Sequence, residues 1–186
     1  MMTLPPGSAI APELRQWAVT DVAGEPLDEG NEILRFLSAS PDHAADVLQV
    51  HFERWLRSPL GPRLTELVRL AVAQQTGCPV CQSVRRPAAH REGVDEDLIY
   101  AVLRDPTSAG LTDRETLAVT YAGALAGDHS QIDDQTYEAL RDHFTDTEIV
   151  ELALIAASFL AQGRILETLT RGQVCPVQDV TGGSHV

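Results

Sequence analysis

Apolar residues recur along this chain at spacings of three and four, and no stretch keeps the period of two that marks a half-buried strand. In PRLTELVRLAVAQQTG (62–77), Leu64, Leu67, Val68, Ala71 and Val72 fall on one helical stripe, and Gly77 supplies the stop. Before it, NEILRFLSAS (31–40) and PDHAADVLQVHFERWLRS (41–58) read as two helices, the second opened by Ser40 as N-cap with Pro41 in first position. A further helix starts at Cys78 and heads toward Gly93. Pro87 interrupts it, removing one hydrogen bond and crowding the carbonyl of Ser83, so the helix kinks or a new one begins at Pro87. Asp95 caps a short helix ending at Arg104, before Asp105-Pro106. Thr112 with Glu115, and Thr145 with Glu148, form capping boxes that open two long apolar helices, with a shorter amphipathic one in DDQTYEALRDHF (133–144) between them. From Ile149 to Leu169 the last helix is apolar on nearly all sides, as for a helix inside a core or against another subunit. Residues 1–29 predict a Pro/Gly-punctuated arm with at most one short helix near PELRQWAV (12–19), and 171–186 a loose tail. The expectation is one all-α domain over residues 30–170.

Composition narrows the partners. A chain of 186 residues suffices for a single core, and 44% apolar with 22% charged residues is ordinary for a globular protein. The net charge of −13, from 27 acids against 14 bases, opposes phosphate backbones and anionic lipid, so neither nucleic acid nor a membrane is expected as partner. The start MMTLPPGSAIAPELRQW lacks the basic region and apolar core of a signal peptide. The greasiest run, LALIAASFLA (152–161), is roughly half the ~20 residues a span needs. Three cysteines are too few for a disulfide scaffold, which makes a reducing cytoplasm the expected compartment.

The chemistry-bearing stretch is QQTGCPVCQSVRR (74–86). A cysteine at a helix N-terminus meets the positive end of the helix dipole and unpaired N–H groups, both of which stabilise the nucleophilic thiolate. In C-x-x-C the two sulfurs share the first turn, close enough to exchange between dithiol and disulfide. Redox chemistry, half a zinc site and inert buried thiols are the three readings of such a motif. Zinc needs two more ligands. Cys175 and the histidines at 43, 51, 90, 129, 143 and 185 are the only soft donors left, and none shows ligand-pair spacing. Cys175 reads as an unpaired thiol in the tail.

Glu66, eleven residues, Cys78, two residues, Cys81 resembles the signature E-x11-C-x2-C-x3-H of the alkylhydroperoxidase D / carboxymuconolactone decarboxylase superfamily. LTELVRLAVAQQTGCPVC (64–81) matches its helix–Gly–Cys lead-in, and FTDTEIVELALIAASFLAQGRI (144–165) is similar to its C-terminal helix. The resemblance covers residues 30–170 and departs at one point, where the motif's histidine falls on Arg85. It implies an all-helical bundle whose helical hairpin carries the C-x-x-C. It also implies Cys81 as attacking thiol, Cys78 as resolving thiol and Glu66 as the distal carboxylate of a proton relay. The implied substrates are hydroperoxides or disulfides, with an external dithiol as reductant, no metal or organic cofactor, and assembly as a dimer, trimer or hexamer.

Arg85 alters that chemistry. With Gly77 as the turn of a hairpin, Glu66 lies about 16 Å down one arm, Cys81 about 6 Å and position 85 about 12 Å down the other. The carboxylate is then too far along the axis to take the thiol's proton directly. Histidine between them relays a proton through its two nitrogens, whereas a guanidinium stays charged and cannot. Arg85 therefore acts either as a fixed charge stabilising the Cys81 thiolate or as an ion-pair partner of Glu66. A local Glu66–Arg69 pair at i,i+3 competes for the same carboxylate. His90 lies about 13 Å beyond Cys81 on an unbroken helix, out of reach. His51 approaches only if its helix packs over the hairpin. Three functions are carried forward: a thiol–disulfide oxidoreductase with modest hydroperoxide reductase activity, a non-catalytic helical oligomer binding a small ligand, and a decarboxylase-like enzyme. For the last, the only support is Arg85 as a carboxylate binder.

Overall fold

The computed structural model describes residues 8–18, 31–106 and 110–170. Most of the expected arm (1–7 and 19–30) and the expected tail (171–186), with Cys175, lie outside the described residues. Among the described residues a 3-10 helix, Pro12–Trp17, leads into nine α-helices: α1 (Glu32–Leu37), α2 (Pro41–Arg57), α3 (Gly61–Thr76), α4 (Pro79–Ser83), α5 (Pro87–Arg91), α6 (Glu96–Arg104), α7 (Asp113–Ala126), α8 (Asp134–Arg141) and α9 (Asp146–Thr170). No strand occurs among the described residues, and the all-α reading stands.

Helix α3 is the axle. Every residue from Leu64 to Ala73 is buried, because α7, α9 and α6 pack around it and α4 and α5 fold back on it. Its stripe of Leu64, Leu67, Val68, Ala71 and Val72 faces Ala118, Val119 and Ala122 of α7 and Leu152, Ile155 and Ala156 of α9 in one continuous core. Each such leucine contributes about 2 kcal/mol by leaving water. A second, smaller cluster joins Leu14 of the 3-10 helix to Leu34 of α1 and to Ala44 and Leu48 of α2, so that turn is part of the packed body.

The capping boxes form as the sequence spells them. Thr112 and Glu115 exchange side-chain and backbone bonds at the start of α7, and Thr145 and Glu148 do the same for α9. Asp95 accepts from the Leu98 N–H at 2.9 Å. Ser40 stands at the N-cap of α2, but its hydroxyl pairs with His43 Nδ1 rather than with a backbone N–H. Helices α2 and α9 run against each other and are pinned by the Arg54–Glu151 ion pair at 2.9 Å.

Two elements differ from the simplest reading. The helix after the cysteines is two helices, because Pro87 occupies the first turn of α5 and Val84 to Arg86 are extended, as residues before a proline prefer. Helix α9 is long and apolar enough by composition to cross a membrane. Here it buries one face, through Leu152, Ile155, Ala156 and Phe159, and leaves Val150 and Leu154 open, as α2 leaves Val47 and Val50.

Candidate functional site

The site is built on the turn from α3 into α4. Gly77 closes α3 with φ of 66°, a left-handed conformation that costs glycine nothing. The chain then turns into α4 with Cys78 as its N-cap and Pro79 in the first helical position. The Cys81 N–H donates to Cys78 Sγ at 3.3 Å, so the thiol serves as the capping acceptor that an oxygen usually provides. The two sulfurs lie 2.8 Å apart as free thiols. Cys78 is 2% exposed, while Cys81 remains partly open. Gly163 of α9 packs against this turn, where a Cβ would meet Thr76 and Cys78 at ordinary contact distance.

Arg69 organises everything around the sulfurs. One face of its guanidinium takes both oxygens of Glu66, at 2.6 and 3.0 Å, and both residues are almost wholly buried. The other face donates to the carbonyl of Cys81 and, at 3.0 Å, to that of Val84. Helix α4 is only five residues long and its terminal carbonyls have no helical partners, so Arg69 closes it from the side. Gln82 adds a tie back to α3, donating to the Ala73 carbonyl at 3.1 Å. The ring of Trp55 lies 6.0 Å from the Arg69 guanidinium.

The electrostatics follow from this geometry. The first ionisation belongs to the pair of thiols. Written on Cys78, it falls to about 7, chiefly because the Cys81 thiol donates to that sulfur and the Cys81 N–H does too. Cys81 is pushed up in turn because its proton is engaged by Cys78 and it is shielded from water, while the Arg69 charge pulls it back down. A thiolate is therefore present near neutral pH, shared across 2.8 Å.

Of the residues singled out from sequence, Cys78, Cys81 and Glu66 meet at one place, with Glu66 reaching the sulfurs only through Arg69. Arg85 does not join them. Its guanidinium takes both oxygens of Glu96, at 2.6 and 3.0 Å, and caps the Gln82 and Val84 carbonyls. No Arg85–Glu66 ion pair forms, and the charge acting on the Cys81 sulfur is that of Arg69. The physical reason is the break before Pro87, which ends α4 at Ser83 and turns position 85 toward α6. His51 lies under α9, bonded through Nδ1 to Ser158 at 2.8 Å and packed on Phe52, Trp55 and Phe159. Burial holds its pKa down at about 4, so it is neutral at pH 7. No group of three metal-ligating side chains occurs among the described residues. The role of Arg69 was the piece missed from sequence. Its signal was a cation placed inside the otherwise apolar stripe of α3.

A buried dithiol capping a short helix, held by a side chain of the core helix, defines an all-α protein of the alkylhydroperoxidase D-like fold. Residues 41–124 match the model of the carboxymuconolactone decarboxylase family, and the fold is shared with solved peroxidase-related proteins of the alkylhydroperoxidase D type. An uncharacterized protein of Mycobacterium tuberculosis is 34% identical over 135 residues, covering 69% of this chain and 48% of its own, so the chain spans about half the length of that relative. The fold superposes on an uncharacterized peroxidase-related protein from Silicibacter sp. TM1040 with a TM-score of 0.75, at 18% identity, over 95% of this chain and 91% of that one. The debrominase Bmp8 shares the fold at a TM-score of 0.62 and 19% identity, over 78% of this chain and 76% of its own.

Proposed function

We propose that this protein is a thiol–disulfide oxidoreductase that reduces organic hydroperoxides through Cys78 and Cys81. The observation that carries the reading is the pair of free thiols 2.8 Å apart, with Cys78 acidified to about 7 by donors from Cys81. The proton held between the two sulfurs shifts from Cys81 to Cys78, and Cys81, the more exposed residue of the pair, attacks the distal peroxide oxygen as thiolate. The O–O bond breaks, and Cys81 becomes a sulfenic acid while an alkoxide leaves. With arginine where a relay histidine would stand, the proton comes from the Cys78 thiol, which turns the alkoxide into the alcohol and leaves a Cys78 thiolate. That thiolate attacks the Cys81 sulfur, the disulfide forms, and the expelled hydroxide takes a solvent proton to become water. The peroxide gains two electrons and the dithiol loses them. An external dithiol then restores both thiols by two exchanges and is itself oxidised to a disulfide.

In this scheme Glu66 is no base. It orients Arg69, and Arg69 both fixes Cys81 through its carbonyl and supplies the positive charge beside its sulfur. No metal or organic cofactor enters, and the reducing cytoplasm suits a dithiol resting state. The exposed Val150 and Leu154 of α9, and Val47 and Val50 of the α2 helix packed against it, support a homo-oligomer that covers them. The test is consumption of cumene hydroperoxide with dihydrolipoamide as reductant, followed by mass spectrometry of the protein. Turnover with a Cys78–Cys81 disulfide intermediate is expected. Turnover no faster than that of a Cys81→Ser variant would end the reading.

A further inference from the structure

Around the helices that carry the dithiol, hydrogen-bonding capacity is left over on both donors and acceptors. Four buried side-chain polar atoms lack a partner among the described residues. The two acceptors, Glu32 Oε2 and Gln74 Oε1, sit on α1 and on the last turns of α3. The two donors, Trp55 Nε1 and Arg86 Nη1, sit at the corner where the end of α2 meets the connection from α4 to α5. Arg86 Nη2 reaches the carbonyl of Leu56, the residue after Trp55, at 3.1 Å. Two residues before Arg86, the Val84 carbonyl is held by Arg69, the same guanidinium that lies over the Trp55 ring.

No carboxylate bonds Arg86 directly at this corner. Glu66 is spent on Arg69. Glu92, the other carboxylate acting on Arg86, accepts the backbone N–H of Arg63 at 2.9 Å. Arg86 thus belongs to none of the ion pairs found among the described residues, in a chain with 27 acids, although it is half-buried. Burial pushes its pKa down, and the Glu66 and Glu92 carboxylates, acting without a direct bond, oppose that shift. Around Trp55 the walls are largely aromatic: Phe52 and Phe159 flank the indole with centroids 6.0 and 5.7 Å away, with His51 and the Arg69 guanidinium also against it.

We infer that Arg86 and Trp55 form a subsite for the carboxylate of a small organic anion, whose apolar body lies against the aromatic wall and whose reactive group meets Cys81. Resting on the proposed redox reading, this names the substrate class as hydroperoxides or disulfides that carry a carboxylate. An anion supplies acceptors to both unmatched donors and the direct ion pair that Arg86 lacks, whereas a neutral ligand supplies only the first. The guanidinium fork and the indole N–H give it orientation as well as attraction.

Binding and chemistry are separated by using an unreactive probe. Titration of the full-length reduced protein with benzoate, by calorimetry at low salt, is expected to be saturable, with benzamide binding at least about tenfold more weakly. Arg86→Gln should weaken benzoate by about tenfold or more, and Arg86→Lys, which keeps the charge but not the fork, by less. Trp55→Phe should cost less than Arg86→Gln. Absence of saturable benzoate binding to the wild type, or equal binding by a folded Arg86→Gln, overturns the subsite. Thiol reactivity is read apart, from the rate with neutral 2,2′-dithiodipyridine. Saturable benzoate binding on an unreactive dithiol would leave the subsite standing and remove the redox function. A reactive dithiol without benzoate binding would do the reverse.

Discussion

Replacing Glu66 by Gln separates a proton relay from an electrostatic clamp, because the two assign opposite signs to the change. Glu66 is 1% exposed and bonded to Arg69 at 2.6 and 3.0 Å, and Arg69 in turn holds the Cys81 carbonyl. Taking the guanidinium as about 6 Å from the Cys81 sulfur and an effective dielectric of about 20, its attraction for a thiolate is about 3 kcal/mol. The Glu66 carboxylate, bonded to that guanidinium and taken as about 10 Å from the sulfur, opposes this by about 1.7 kcal/mol. Glu66→Gln removes the opposing charge while its amide oxygen still accepts from Arg69. The first thiol pKa should therefore fall by about one unit from its value near 7. Iodoacetamide alkylation at pH 6 should become about fivefold faster. The double variant Glu66→Gln/Arg69→Gln loses both charges and should move the pKa the other way by about one unit. Stability will drop in the single variant by about 3 kcal/mol, since Arg69 is left buried without its countercharge, so alkylation is read in native buffer with folding confirmed by circular dichroism. A thiol pKa that rises or stays put in Glu66→Gln would refute the clamp, and a loss of peroxide turnover with unchanged thiol acidity would restore Glu66 as a base.

Three further outcomes follow from the same geometry. Arg85→His should leave peroxide turnover within about twofold, since position 85 faces Glu96 and an exposed ion pair there is worth about 0–1 kcal/mol; a several-fold gain would mean that this side chain reaches the sulfurs. His51 is neutral in the fold, with a pKa near 4 against 6.5 unfolded, so the unfolded chain binds the extra proton and stability is lost as pH falls between those values. Urea melts should show about 2 kcal/mol lost through this group between pH 7.5 and 5, and His51→Leu should remove that part of the slope. Leu154 is 39% exposed on the open face of α9, so light scattering should report an oligomer for the wild type and a smaller species for Leu154→Arg; identical masses would place the interface elsewhere.

The sequence by itself determined the helices and where the thiols fall on them. Apolar spacing laid out α2, α3, α7 and α9, and Thr112/Glu115, Thr145/Glu148, Asp95 and Gly77 marked their ends, because capping is chemistry between residues two to four apart. The interval from Glu66 to Cys78 and Cys81 was legible for a similar reason: it spans one helix, one turn and the start of the next. Only the tertiary structure decided which cation serves the dithiol. Position 85 was the natural candidate on a continuous helix, but Pro87 ends that helix and sends Arg85 to Glu96. Arg69, whose pairing with Glu66 reads in sequence as a local i,i+3 contact, is carried by the buried face of α3 under the carbonyls of Cys81 and Val84. His51 was settled the same way, since α9 brought Ser158 and Phe159 to it. Local rules fix what each segment becomes, but the direction of a long charged side chain depends on which carbonyls and carboxylates the packing of distant helices brings within its reach.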